Sequence, residues 1–439
     1  MFEFIYEYSE SCICFLISLI CLGQAYFFKK DFFSPANVYC FSQSITLGIS
    51  YLKYNAAMTD FHVKTWCIWC GALISFFVGA SCVRMFWKTK NLPKHFCSVK
   101  EIAPVNYNWK LHMICAFFVL FCYLLGVVGI VQVAGNLLLL TKEPSLWMTA
   151  KVDYGYWAIL FNSSPLVMMF FGVAAFKSLN PHKGIRVLAR VIIPIVFVIN
   201  IFAYPNRGTL FFSLGVLLIL FNYLKKKIPS AAIMLCLLVA LGAFVGISEL
   251  RSQYGTSVKD VAINSALDLP YKYVANNYWN LDYAVNPLPD KEIHPHTYGI
   301  DFFAGIFDYL RLTGSIRNSF GWDGLFNERV QKIQGLNTTG YLWDVYKDLY
   351  MPGVVFFPFF CGVALTLLHL SLSRKITPRN LLLYTMFIYL VAWWFFTPGY
   401  KQGIYWIWTI VLFGFTTLCS TKSFPEIPEE KRAQSDISG

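Results

Sequence analysis

Charge is what this sequence has least of. Only 14% of its 439 residues are Asp, Glu, Lys or Arg, while 57% are hydrophobic. Soluble domains average about 25% charged residues, so the chain reads as an all-α polytopic membrane protein. The short alternating segments of a closed barrel are missing. In their place, apolar runs of about 20 residues recur from end to end, as helices crossing a core roughly 30 Å thick require. The N-terminus has no basic region or small-residue cleavage site, so its first apolar run is read as a retained span. There is no P-loop, no GxGxxG and no recognisable Ser-His-Asp arrangement. No cytoplasmic stretch is long enough for a nucleotide-sugar site, which argues against soluble activated donors. Thirteen cysteines are present, but Cys67 and Cys70 stand inside an apolar run with no second pair, and the stretch 248–348 has none. They read as small buried hydrophobes, and no metal or other cofactor is expected.

What charge there is follows a pattern. Apolar runs predict about eleven transmembrane helices, at 11–28, 34–52, 65–87, 111–134, 156–176, 191–204, 208–224, 229–247, 351–372, 381–397 and 403–420. Every odd-numbered span precedes a basic loop, from Lys29 and Lys30 to Lys225, Lys226 and Lys227 and on to Arg374, Lys375 and Arg379. The short even-numbered loops are poor in lysine and arginine, so the first set faces the cytoplasm. The net charge of +12 is then a topology signal, and no nucleic-acid partner is expected. Residues 1–247 carry helices 1–8 with the N-terminus outside. Residues 248–350 form a large outer loop, 351–420 carry helices 9–11, and 421–439 are a cytoplasmic tail. The short 191–204 run contains Pro194; if it failed to cross, the topology before it would invert.

The outer loop far exceeds an ordinary connector, and its tryptophans, tyrosines and phenylalanines argue for order. Residues 300–312 have apolar positions at helical spacing, which predicts an amphipathic helix lying in the interface; 257–268 predicts another.

Polar chemistry concentrates on this same outer side. Arg207 sits in Tyr204-Pro205-Asn206-Arg207-Gly208, a polar break between two apolar runs, and Arg251 ends Ser248-Glu249-Leu250-Arg251. Charge at a membrane boundary marks a functional site, and guanidinium donors suit phosphate oxygens. Asn206 and Gly208 open span seven, whose helix N-terminus adds backbone donors for an anion. Glu249 and His294 are candidate proton acceptors, although an ion pair explains Glu249 equally simply and a surface loop tip is the plainer reading of His294. Asn337, Tyr341, Trp343, Asp344 and Asp348 offer hydrogen-bonding groups and aromatic faces that suit sugar rings; a helix with interfacial aromatics is the plainer reading. Asn162-Ser163-Ser164 and Asn337-Thr338-Thr339 match the glycosylation sequon.

These residues bring a family into view. The chain resembles the oligosaccharide repeat-unit polymerases, the O-antigen polymerase (Wzy) family of bacterial envelope proteins. The likeness rests on Pro205-Asn206-Arg207-Gly208, on Ser248 to Arg251, on the long outer loop and on the Asn337-to-Gly353 approach to the next span. Where family members often read Asp-Phe-Gly-x-x-Gly, this chain has Asp348-Leu349-Tyr350-Met351-Pro352-Gly353, a departure that bears on Asp348. The resemblance implies a GT-C-like glycosyltransferase in the bacterial inner membrane, its active site facing the periplasm. It would polymerise undecaprenyl-pyrophosphate-linked oligosaccharides into O-antigen or a related surface polysaccharide of lipopolysaccharide biosynthesis. A chain-length regulator is the implied protein partner, and Arg207 and Arg251 would hold the pyrophosphates. An O-antigen ligase acting on lipid A–core and a lipid-linked oligosaccharide flippase are the competing readings.

Overall fold

The computed structural model describes residues 9–27, 31–53, 59–87, 107–134, 157–203, 207–229, 231–233, 235–236, 242, 268–286, 297–310, 312, 338–397 and 399–420. Among these, regular structure is helical, apart from one bridge between Tyr107 and Ser420. The described α-helices follow in order: α1 (Ser9–Phe27), α2 (Pro35–Ser50), α3 (Val63–Phe86), α4 (Trp109–Ala134), α5 (Trp157–Phe161), α6 (Ser164–Ala174), α7 (Lys183–Ala203), α8 (Arg207–Leu224), α9 (Asp268–Val285), α10 (Ala304–Tyr309), α11 (Tyr341–Arg374), α12 (Pro378–Ala392) and α13 (Gly403–Cys419).

A helix satisfies its backbone internally, which is why apolar sequence in lipid folds this way. By length and composition, three of the described helices can cross a membrane: Val63–Phe86, Trp109–Val133 and Tyr341–Arg374. Large apolar side chains such as Leu19, Phe77, Phe121, Ile195, Phe360 and Ile410 face outward from α1, α3, α4, α7, α11 and α13. Such exposure fits hydrocarbon surroundings and would be a liability in water.

Among the described residues, backbone bonds join helix ends at two places. At the basic end, the amide of Asn108 donates to the carbonyl of Cys419, joining the start of α4 to the finish of α13. At the opposite end, the amide of Tyr341 donates to the carbonyl of Trp394. The 191–204 run belongs to a longer helix, α7, which begins at Lys183 and carries Pro194 inside. Tyr123 reaches Asn200 near its far end at 2.7 Å, while Arg190 donates to the carbonyl of Ala175 nearer its start. The 156–176 run is split into α5 and α6 around Asn162 and Ser163, with Pro165 starting the second piece. Ser163 and Ser164 of the first sequon are buried there. The 229–247 run lies mostly outside the described residues.

Close helix crossings depend on glycine, as small residues permit in membranes. α3 and α11 meet where a Cβ on Gly79 would strike the Phe359 carbonyl and one on Gly362 the Phe76 carbonyl. α11 is itself broken. Leu349 and Tyr350 leave helical geometry, Tyr350 at φ 59°, a conformation that costs a bulky residue about 1–3 kcal/mol. Gly353 allows the sharp turn, since a Cβ there would lie 2.6 Å from the Val345 carbonyl oxygen. The break separates a buried half-helix, Tyr341 to Asp348, from the membrane-length part below it.

Candidate functional site

α8 begins at Arg207, with Gly208 exposed as its second residue. The Arg207 side chain, Asn206, Glu249, Arg251, His294 and Asn337 lie outside the described residues, as does the predicted helix 257–268 except for its last position. The surroundings of the α8 start are described. Phe211 stacks on Trp393 at 5.8 Å between ring centroids, Trp393 on Phe395 at 5.7 Å, and Phe396 on Tyr273 of α9 at 6.0 Å. Through Trp393 and Phe396 these rings join Phe211, the fifth residue of α8, to α9, and the Tyr341 amide that opens the half-helix meets the Trp394 carbonyl in the same stretch.

At this end, three carboxylates bind the loop segments to the bundle. Asp282 of α9 is buried and accepts from the backbone amide of His62 (2.8 Å), from His62 Nδ1 (3.0 Å) and from the Thr65 hydroxyl (2.5 Å). His62 caps the start of α3, where a negative charge is favoured by the exposed helix amides. Lys64 returns the interaction, donating at 2.7 Å to the carbonyl of Val285 at the end of α9. Asp348 accepts from the Thr297 hydroxyl (2.5 Å) and from the amides of Gly299 (2.8 Å) and Phe302 (3.2 Å). Its oxygens therefore shape the 297–303 turn, and it serves as an anchor. Asp344 pairs with Lys401 at 2.5 Å and is also buried. Asn276 and Asn280, one helical turn apart on α9, both donate to the carbonyl of Thr338.

Tyr341 and Trp343 are core residues here. Tyr341 is fully buried, its hydroxyl sharing a hydrogen bond with that of Tyr39 and its ring 4.7 Å from Trp394. The plainer sequence reading, a helix with interfacial aromatics, is corrected in one respect: residues 341–348 are buried throughout. The expected helix over 300–312 is shorter than its pattern, a 3₁₀ turn at Asp301–Phe303 followed by Ala304–Tyr309. Phe303, Leu310 and Leu312 still present apolar side chains outward.

Between α2, α9 and the half-helix lies a crevice of about 10 Å³, room for one water-sized group. Gln43, Asn277, Tyr278, Tyr341, Trp343 and Trp394 contribute to its lining. The Tyr278 hydroxyl donates to Gln43 Oε1 at 2.9 Å.

Two features went unnoticed in the sequence. The first is α9, whose buried Ala275, Tyr278, Trp279, Asp282 and Val285 follow a helical period that was there to be read. The second is a polar knot at the basic end. Asp31, buried, accepts from the Phe33 amide (3.1 Å), from Asn222 (3.3 Å), from the Tyr223 hydroxyl (2.5 Å) and from His369 Nε2 (3.1 Å). Burial opposes its ionisation, but the His369 and Tyr223 bonds outweigh that and hold its carboxyl below the usual range. A histidine in the apolar run Leu367-Leu368-His369-Leu370 was the available signal. Ahead of α3, Lys53 and then Tyr51 likewise hold the exposed Asp60 carboxyl below its usual range. Among the described residues, no group of three His, Cys, Asp or Glu could hold a metal ion. No family model, curated protein or solved structure matches the chain.

Proposed function

We propose that the chain is an inner-membrane glycosyltransferase that polymerises undecaprenyl-pyrophosphate-linked repeat units at the periplasmic face. The observation that supports this most is the shared end of the bundle: α8 starts at Arg207 within reach of the aromatic path to α9 and the 338–348 segment. An anion-binding helix start beside polar and aromatic surface is what a lipid-diphosphate sugar donor requires.

In this reading, a hydroxyl of the acceptor unit attacks the donor's anomeric carbon. The bond from that carbon to the pyrophosphate oxygen breaks, and undecaprenyl pyrophosphate departs with the electron pair. The leaving group is already good, so the protein has two tasks: to stabilise the charge developing on it and to align the reactants. Arg207, Arg251 and the α8 backbone around Gly208 serve the first, while Glu249 or His294 takes the hydroxyl proton. Asn206 and Asn337 flank the substrate. Tyr341 and Trp343 contribute a packed aromatic wall, and Asp344 and Asp348 hold that wall in place. The implied partners are the lipid-linked glycans, the surrounding lipid and a chain-length regulator.

The deciding experiment incubates purified protein with one defined lipid-linked repeat unit. A ladder of products is expected, and Arg207→Ala should abolish it while leaving single-unit transfer to lipid A–core intact in cells. A ligase yields no ladder from that substrate alone. The other competing reading is a lipid-linked oligosaccharide flippase. Scrambling of lipid-linked oligosaccharide in vesicles, with no ladder, would replace the polymerase with that activity.

A further inference from the structure

Asp282 divides its two oxygens unequally. Oδ1 takes the structural donors, the His62 amide at 2.8 Å and the Thr65 hydroxyl at 2.5 Å. Oδ2 meets the imidazole of the same histidine, with Nδ1 at 3.0 Å. The Asp282 side chain is 3% exposed and that of His62 63%. A buried carboxylate on one ring nitrogen sets the neutral tautomer: the proton sits on Nδ1, and Nε2 keeps its lone pair. Nε2 has no hydrogen-bond partner among the described residues. The histidine is also tied at two points, since its amide and its ring bond to one carboxylate. Lys64 pins the start of α3 beside it, bonded to the Val285 carbonyl at 2.7 Å and lying 5.1 Å from the Tyr346 ring. α9 carries Asp282 and, nearer its start, Tyr273, which stacks on Phe396 in the stretch that reaches α8. An imidazole oriented from behind, with its far nitrogen open, is the arrangement of a general base acting on a hydroxyl.

We propose that His62 is the general base of the transfer reaction, its Nε2 taking the proton of the acceptor hydroxyl while Asp282 positions the ring. The proposal rests on the glycosyltransferase reading and fills the role left there to Glu249 or His294. As the acceptor oxygen bonds to the anomeric carbon, its proton passes to Nε2. The bond from that carbon to the pyrophosphate oxygen breaks, and the electron pair leaves with undecaprenyl pyrophosphate. Asp282 stabilises the imidazolium, which then returns its proton to water on its exposed side.

The test measures ladder formation from one defined lipid-linked repeat unit, together with the 15N NMR signals of the His62 ring. The His62 signals are identified by their loss in His62→Gln. That variant keeps the backbone bond to Asp282, and its kcat should fall roughly 100- to 10,000-fold with KM little changed. Asp282→Asn keeps an oxygen for the His62 amide and Thr65, but it turns an N–H toward Nδ1. The ring proton should move from Nδ1 to Nε2, and kcat should fall while the melting temperature holds. A merely structural carboxylate would not move the tautomer and kcat together. Where Asp282→Asn does not fold, His62→Gln and the wild-type tautomer decide. A His62→Gln protein that builds the ladder at the wild-type rate, one that changes KM alone, or a wild-type ring protonated on Nε2 would overturn the assignment and leave the polymerase standing. A wild type that builds no ladder removes the polymerase, and the base with it, whatever the tautomer.

Discussion

Two places in this bundle, the turn around Asp31 and the contact between α2 and α9, treat buried polar groups differently. At the basic end, Asp31 is surrounded by four donors from its own turn, from α8 and from α11. Between α2 and α9, Gln43 and Asn277 each carry an unpaired atom. A buried charge whose hydrogen-bonding capacity is filled is a fastening, because losing any partner leaves a desolvated group behind. A buried amide with spare capacity holds nothing in place with that atom.

The largest effect expected from breaking it is at Asp31. Asp31→Ala removes the acceptor shared by His369, Asn222 and Tyr223, and should cost about 3–5 kcal/mol in denaturant unfolding of the reconstituted protein. If the loss is under about 1 kcal/mol, Asp31 is not the fastening. Acid should mimic part of this loss. Because the folded carboxyl titrates below its usual range, its contribution is complete above the unfolded value of about 3.9. It is then lost as pH falls through the lower, folded value. Melting temperature should therefore drop on acidification below about pH 4, and less steeply in Asp31→Asn, which carries no titrating group.

Asp282 tests whether α9 also contributes a fastening. Asp282→Ala strands the His62 amide and the Thr65 hydroxyl and should cost about 2–3 kcal/mol. It should also expose Lys272 of α9, which is 3% accessible, to trypsin. Unchanged cleavage would mean that Lys64 and the Thr338 contacts suffice. The smallest effect belongs to Asn277→Leu. Replacing a group with an unpaired oxygen should move stability by no more than about 1 kcal/mol in either direction. A loss as large as that of Asp31→Ala would erase the distinction between the two places.

The helical class was legible because apolar run length and period are local properties. α8 shows this well: the polar break before it and the apolar run after it predict a helix start within one residue of Arg207. The kink at Leu349 and Tyr350 was half legible, since Pro352 and Gly353 mark a turn but not what lies on either side. The fate of Asp348 was not legible at all. Its partners lie 46 to 51 positions earlier in the chain, in a turn with no motif of its own. The same holds for Tyr341, which had the composition of a sugar platform and is packed against Tyr39, 302 positions away.

Sequence alone therefore determined that this is a helical chain with membrane-length apolar runs, basic loops on alternate connections and a polar break at Arg207, because each of those is written within one or two helical turns. Tertiary structure alone decided which polar groups are spent on holding the bundle together and which retain an open valence. That choice depends on partners such as Asp31 and His369, 338 positions apart, and distance along the chain carries no record of them.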